Sequence, residues 1–234
     1  MASSMSPTTT AEMPPHDAVA KHSAIPPRYA RRIESGLASP NYEFDSLLET
    51  GGGLYIFGER GTGKTELACR IAYAYVAKRL RMVGNGGLGD GIWVWRPLSD
   101  GKKRSVRFRT SADMMTELRG TYATKGGSEQ DVVRRYAECS LLVLDDLGKG
   151  DSTRWGVSKL FQVINERYNE ERATIVTTQY EPAKLAAVLA EDSHREDAEA
   201  IVSRLMEMCR ALKLDGGDRR TRMFGALDRN GATQ

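Results

Sequence analysis

The feature that most constrains this chain is one short stretch, Gly58-Glu59-Arg60-Gly61-Thr62-Gly63-Lys64-Thr65, a glycine and four residues followed by Gly-Lys-Thr. This spacing suits a loop whose backbone N–H groups turn inward around phosphate oxygens, because glycines leave no Cβ in the way. In such a loop Lys64 brings a point charge to the β- and γ-phosphates, and the Thr65 hydroxyl can ligate Mg²⁺. Leu54-Tyr55-Ile56-Phe57 reads as a short buried strand, and Glu66 to Arg81 as a helix offering its positive end to the same anion. Strand, glycine loop and helix predict a triphosphate site built from Gly58 to Glu66, with ATP and Mg²⁺ as the expected cofactors.

Composition sets outer bounds. The 234 residues suit one α/β domain with frayed ends, and 40% hydrophobic content can fill one core. No apolar run approaches the ~20 residues of a membrane span, and the N-terminal residues lack the apolar centre of a secretory signal. Cys69, Cys139 and Cys209 show no paired spacing, so they read as reduced core residues of a cytoplasmic protein. A formal charge of +3 is too small to imply nucleic-acid binding, which must rest on local clusters.

The expected organisation is a disordered tail over 1–24, a lead-in over 25–53 and the nucleotide-binding domain over 54–224, with a polar tail from 225. The lead-in either packs beside the nucleotide site or docks a partner. Gly84 to Arg104 reads as an insertion. In it Ile92 to Pro97 and the basic run Lys102 to Arg109 predict a β-hairpin around Asp100-Gly101, with Val106–Arg109 continuing into the main sheet. Trp93 and Trp95 beside Lys103 could stack on single-stranded nucleic acid, or could cover part of the core. Thr110 and Ser128 are placed to cap the next two helices.

The second informative stretch is Ser140-Leu141-Leu142-Val143-Leu144-Asp145-Asp146-Leu147-Gly148. Four apolar residues fit a central parallel strand buried on both faces, and open α/β sheets keep ligand sites at the carboxyl ends of such strands. Asp145 would hold the hydration shell of the metal, and Asp146 would orient or deprotonate the attacking water. Ala173 to Gln179 reads as a further buried strand, whose polar end would lie beside those carboxylates. Ala198 to Cys209 reads as a helix with Arg204 off its apolar face, followed by a last strand over Ala211 to Leu214.

In this order the parts resemble the AAA+ helicase-loader group, similar to DnaC and DnaI and to the transposition helper IstB. The resemblance is carried by Ile25-Pro26-Pro27-Arg28-Tyr29, the P-loop, Asp145-Asp146-Leu147-Gly148, Thr174 to Thr178 and Ser203-Arg204-Leu205. It implies an AAA+ P-loop fold with a five-stranded parallel sheet flanked by helices, and a homo-oligomer in which Arg204 acts as an arginine finger on a neighbour's ATP. It further implies Thr178, or Thr177 beside it, as the sensor at the strand end. A single-stranded DNA path would run along Thr110 to Cys139, with Arg119, Tyr122 and Lys125 as contacts. The partners it implies are single-stranded DNA and a replicative helicase. Fewer than sixty residues precede the P-loop, so helicase docking would fall to a short arm. The expected activity is Mg-dependent ATP hydrolysis in DNA replication. The rival readings are an IstB-like transposition helper and a P-loop small-molecule kinase with the insertion as a lid.

Overall fold

The computed structural model describes residues 14–84, 93–97, 105–123, 128–149, 152–191 and 195–216. Three short helices, α1 (His16–Ser23), α2 (Pro27–Glu34) and α3 (Asp45–Glu49), lead into β1 (Gly53–Phe57) and α4 (Lys64–Arg79). β2 (Leu80–Gly84), β3 (Trp93–Pro97), β4 (Val106–Thr110), α5 (Ser111–Gly120), α6 (Glu129–Glu138) and β5 (Leu141–Leu147) follow. The chain continues through α7 (Arg154–Asn169), β6 (Ala173–Thr178), α8 (Pro182–Leu189), α9 (Arg195–Met208) and β7 (Cys209–Lys213).

A five-stranded sheet in the order β4-β5-β6-β1-β7 has every neighbouring pair parallel. Alternation along each strand sorts its side chains between two cores, since successive residues point to opposite faces. Leu54, Ile56, Leu141, Val143 and Ile175 pack with α1 to α4, whereas Tyr55, Leu142, Leu144 and Val176 pack with α5 to α9. Both faces are therefore covered, which is why these strands read as unbroken apolar runs. The expected caps form: Thr110 Oγ1 accepts from Asp113 N at 3.0 Å, and Ser128 Oγ from Asp131 N at 3.4 Å.

At the N-terminal end of the sheet one residue ties several elements together. Arg167 of α7 is fully buried, donating to the carbonyls of Tyr136 (2.9 Å), Ala137 (3.0 Å) and Cys139 (2.7 Å). It also donates to Thr174 Oγ1 at 2.9 Å and to the Ala173 carbonyl. A buried carbonyl left short of a donor costs about 1–3 kcal/mol, so these bonds hold the end of α6 to the start of β6.

Three expectations are corrected. The first two dozen residues are not disordered throughout: His16–Ser23 form α1, and Val19 is buried against the second core. The helix after the P-loop ends at Arg79, because Leu80–Gly84 turn extended to pair with β3. The hairpin therefore joins β2 to β3 antiparallel, with Leu80 opposite Pro97 and Gly84 opposite Trp93. Val106–Thr110 are not its second arm: they pair with β5 at the edge of the main sheet, and β2 and β3 form a separate two-stranded sheet. Asp100, Gly101 and Lys102 to Arg104 lie outside the described residues.

Candidate functional site

The glycine loop leaves β1 at its carboxyl end and feeds directly into α4. Gly61 and Gly63 have φ of +80° and +94°, a region where a side chain would be strained, so the loop needs glycine at both. Thr62 Oγ1 donates to the Glu59 carbonyl at 3.0 Å and closes the turn. Lys64 is buried, its Nζ donating to the carbonyls of Gly58 (2.9 Å) and Glu59 (2.6 Å). Its charge is thus held inside the loop by neutral acceptors, ready for an anion.

Opposite Lys64, β5 brings up the two carboxylates in different ways. Thr65 Oγ1 donates to Asp145 at 2.9 and 3.1 Å, and Thr177 Oγ1 donates to the same carboxylate. Burial pushes the Asp145 carboxyl above its ordinary range, opposed by the hydrogen bonds from Thr177 and Thr65. Asp146 has φ of +56° and lies at a break in the β5–β6 register between Leu144 and Leu147. In an unbroken strand two successive side chains would face opposite sides, but here both carboxylates line one cavity. A left-handed non-glycine residue costs about 1 kcal/mol or more, offset here by fixed backbone partners. Asp146 N donates to Thr177 Oγ1 at 3.0 Å, and its carbonyl accepts from Ser111 Oγ at 3.2 Å. The Asp146 carboxylate is then free to project outward, where it pairs with Lys149 at 2.8 Å.

The resulting cavity has a volume of about 960 Å³, and Lys64, Thr65, Glu66, Asp146, Lys149 and Gln179 line it on the P-loop side. The lead-in supplies the other side through Arg28, Tyr29, Arg32, Leu37 and Ala38. Gln179 accepts from Arg60 Nε at 3.1 Å, tying the end of β6 to the loop. A buried carboxylate and a threonine hydroxyl are the oxygen donors Mg²⁺ prefers, so this set fits that ion. No cluster of three or more His, Cys, Asp or Glu side chains that could cage a metal occurs among the described residues.

The remaining residues singled out in the sequence fall elsewhere. The contact to Asp145 is made by Thr177 rather than Thr178, whose hydroxyl donates to the Leu147 carbonyl at 2.7 Å. Adjacent strand residues face opposite ways, and the apolar run gave no means of choosing between them. Arg204 is not among the residues that line the P-loop cavity. Its Nε donates to Asn165 Oδ1 at 2.8 Å, and its guanidinium lies 4.9 Å from the Phe161 ring. Tyr122 is 69% exposed, hydrogen-bonds Glu129, and lies 6.4 Å from Trp155, with Arg119 5.3 Å from that same indole. Trp155 was missed: it lies off the apolar stripe of Val157, Leu160 and Ile164 in α7, and a lone aromatic in the first turn of a helix carries no motif signal. Trp93 and Trp95 lie on β3, opposite Gly84 and Met82, while Lys103 and Lys125 lie outside the described residues.

Fold and site together define a P-loop nucleotide-binding protein of the AAA+ type. The family model for IstB-like ATP binding proteins matches residues 98–224, more than half the chain, a range that begins downstream of the P-loop. The chain belongs to that family. It is 25% identical over 150 residues to the replicative helicase loader DnaC of Escherichia coli, covering 64% of this chain and 50% of that protein. It is 24% identical over 175 residues to an insertion-sequence ATP-binding protein of Mycobacterium tuberculosis, covering 75% of this chain and 58% of that one. The chain thus spans about half the length of the curated relatives it matches. The crystal structure of a DnaC helicase loader shares the fold with a TM-score of 0.50 and 24% identity, over 81% of this chain and 89% of that one. No helix among the described residues is long and apolar enough to cross a membrane.

Proposed function

We propose that this chain is an ATPase of the helicase-loader type, which binds ATP with Mg²⁺ and couples that binding to single-stranded DNA and a replicative helicase. The observation that carries the reading is the contact of Thr65 with Asp145, which joins the P-loop helix to the acidic strand end. Thr65 and Asp145 would hold the ion, which when bound neutralises charge on the β- and γ-phosphates. Lys64 would exchange its loop carbonyls for phosphate oxygens. Asp146, aimed outward by its left-handed backbone, would take the proton of the attacking water. Thr177 keeps both aspartates in place through its two hydrogen bonds.

Arg204 does not line its own chain's cavity, which suits a role on a neighbour's ATP in a homo-oligomer. Its packing on Phe161 and Tyr168 would hold it in position. Arg204→Ala should leave ATP affinity unchanged and remove hydrolysis. Turnover equal to that of the parent would sink the trans-site idea. Tyr122, Arg119 and Trp155 form an aromatic and basic patch suited to stacking single-stranded bases, each worth about 1–3 kcal/mol.

A second reading, a helper that brings a transposase to DNA, is favoured by the family match over residues 98–224. Affinity capture from the native host, with and without ATP, separates the two. A hexameric helicase among the ATP-dependent partners supports the first, and a transposase supports the second.

A further inference from the structure

The P-loop accounts for one wall of the large cavity, and the lead-in makes the other. The lead-in is seated firmly: Ile33, Phe44 and Leu48 are buried in the same core as α4, and Asn41 N donates to the Arg70 carbonyl at 3.2 Å. Pro27 opens α2 and presets its first turn, so Arg28 and Arg32, four residues apart, share one helix face. Both line the cavity.

The charge there exceeds what the loop lysine brings. Arg28, Arg32, Arg60, Lys64, Arg70 and Lys149 line the cavity, against the carboxylates of Glu66 and Asp146. Five of these cations already have oxygen partners. Arg32 pairs with Glu66 at 3.4 Å and Lys149 with Asp146 at 2.8 Å. Arg60 donates to Gln179, Lys64 to the loop carbonyls and Arg70 to the Ser39 carbonyl. Arg28 differs. It is exposed, its guanidinium lies 4.6 Å from the Tyr29 ring, and among the described residues it has no ion pair. It also lines the adjoining cavity of about 580 Å³, together with Thr65, Asp145 and Asp146. Arg28 therefore borders both spaces, on the side where the acidic strand end lies.

We propose that Arg28 is a nucleotide-discriminating residue supplied in cis by the lead-in helix, contacting the terminal phosphate of a bound triphosphate so that α2 registers ATP but not ADP. This rests on the P-loop reading above. A guanidinium without a carboxylate partner, facing an anion site, has its donors available for a charge-assisted bond to phosphate. ADP lacks the group that such a bond would reach.

The test measures Mg-ATP and Mg-ADP affinities, by displacement of a fluorescent nucleotide, for the full chain, Arg28→Ala, Arg28→Lys and Lys64→Ala. Loss of a hydrogen bond to a charged group predicts about a tenfold loss of ATP affinity in Arg28→Ala, ADP affinity staying within about threefold, and partial rescue by lysine. Hydrogen exchange over residues 27–39 should slow with ATP more than with ADP in the parent, and equally with both in Arg28→Ala. Equal losses for the two nucleotides, or no loss, overturn the proposal. Failure of the P-loop reading looks different: the parent binds no nucleotide, or Lys64→Ala binds as the parent does, and the proposal then falls with it.

Discussion

The two ends of the central sheet are built on opposite plans. At the N-terminal end, Arg167 is a buried cation whose donors are met by carbonyls and the Thr174 hydroxyl, with no carboxylate paired to it among the described residues. Burial pulls its pKa below the ordinary arginine value. At the C-terminal end the groups are left in readiness. Asp146 is strained, Asp145 is held above its ordinary pKa by burial, and Lys64 donates to two neutral carbonyls of the loop. One end uses charge to fix the architecture; the other stores charge for a ligand. A fold can support such a site only where the rest of the sheet is independently secured.

The strongest test of this contrast is Arg167→Met, which keeps the bulk and removes the donors. Removing the guanidinium leaves buried carbonyls short of a donor, at about 1–3 kcal/mol for each group left unmet and so several kcal/mol in all. For a domain of this size that lowers the melting temperature by roughly 6–20 °C, measured by circular dichroism without nucleotide. A stable variant with weakened ATP binding would break the division between the ends. Lys64→Ala should do the reverse: binding of a fluorescent ATP analogue falls about a hundredfold or more, the scale of a lost charge-assisted contact to phosphate. Its unliganded melting should shift far less than that of Arg167→Met.

Thr177→Val sharpens the comparison, because Thr177 is buried like Arg167 but serves the site. It should lose about 1–3 kcal/mol in urea unfolding, since Asp145 loses a donor and Asp146 N an acceptor. Hydrolysis should fall with it. The smallest expected effect has the opposite sign. Because burial raises Asp145, the folded protein carries a penalty that sets in as pH rises from the ordinary aspartate value through the raised one. Asp145→Asn should therefore melt slightly higher than the parent at neutral pH without ligand, and the two curves should converge in acid. The Mg-dependent thermal gain on adding ATP should vanish in the variant. A parent that gains stability from acid to neutral pH by the same amount as Asp145→Asn would contradict the stated role of burial.

Much of the architecture could be read in advance because it rests on local pattern. Leu141 to Leu144 announce a strand covered on both faces, and Thr110 and Ser128 announce the helix starts they cap. The errors occur where distant pairing overrode that pattern. Leu80–Gly84 follow the helix with no proline or glycine before Gly84 to mark its end, and the pairing with Trp93–Pro97 draws them into an extended form. The choice between Thr177 and Thr178 was likewise invisible, since it depends on which face of β6 meets Asp145.

By itself the sequence determined the phosphate loop, the acidic strand end and the parallel sheet beneath them. Glycine spacing, apolar runs and capping residues act within a few positions of themselves, so their meaning survives without the rest of the chain. Only the tertiary structure decided that the lead-in closes the nucleotide cavity, that both aspartates line one space, and that Arg167 is buried among carbonyls. Each of those depends on residues far apart in the chain meeting across the sheet, and on a backbone angle at Asp146 that its own side chain does not favour.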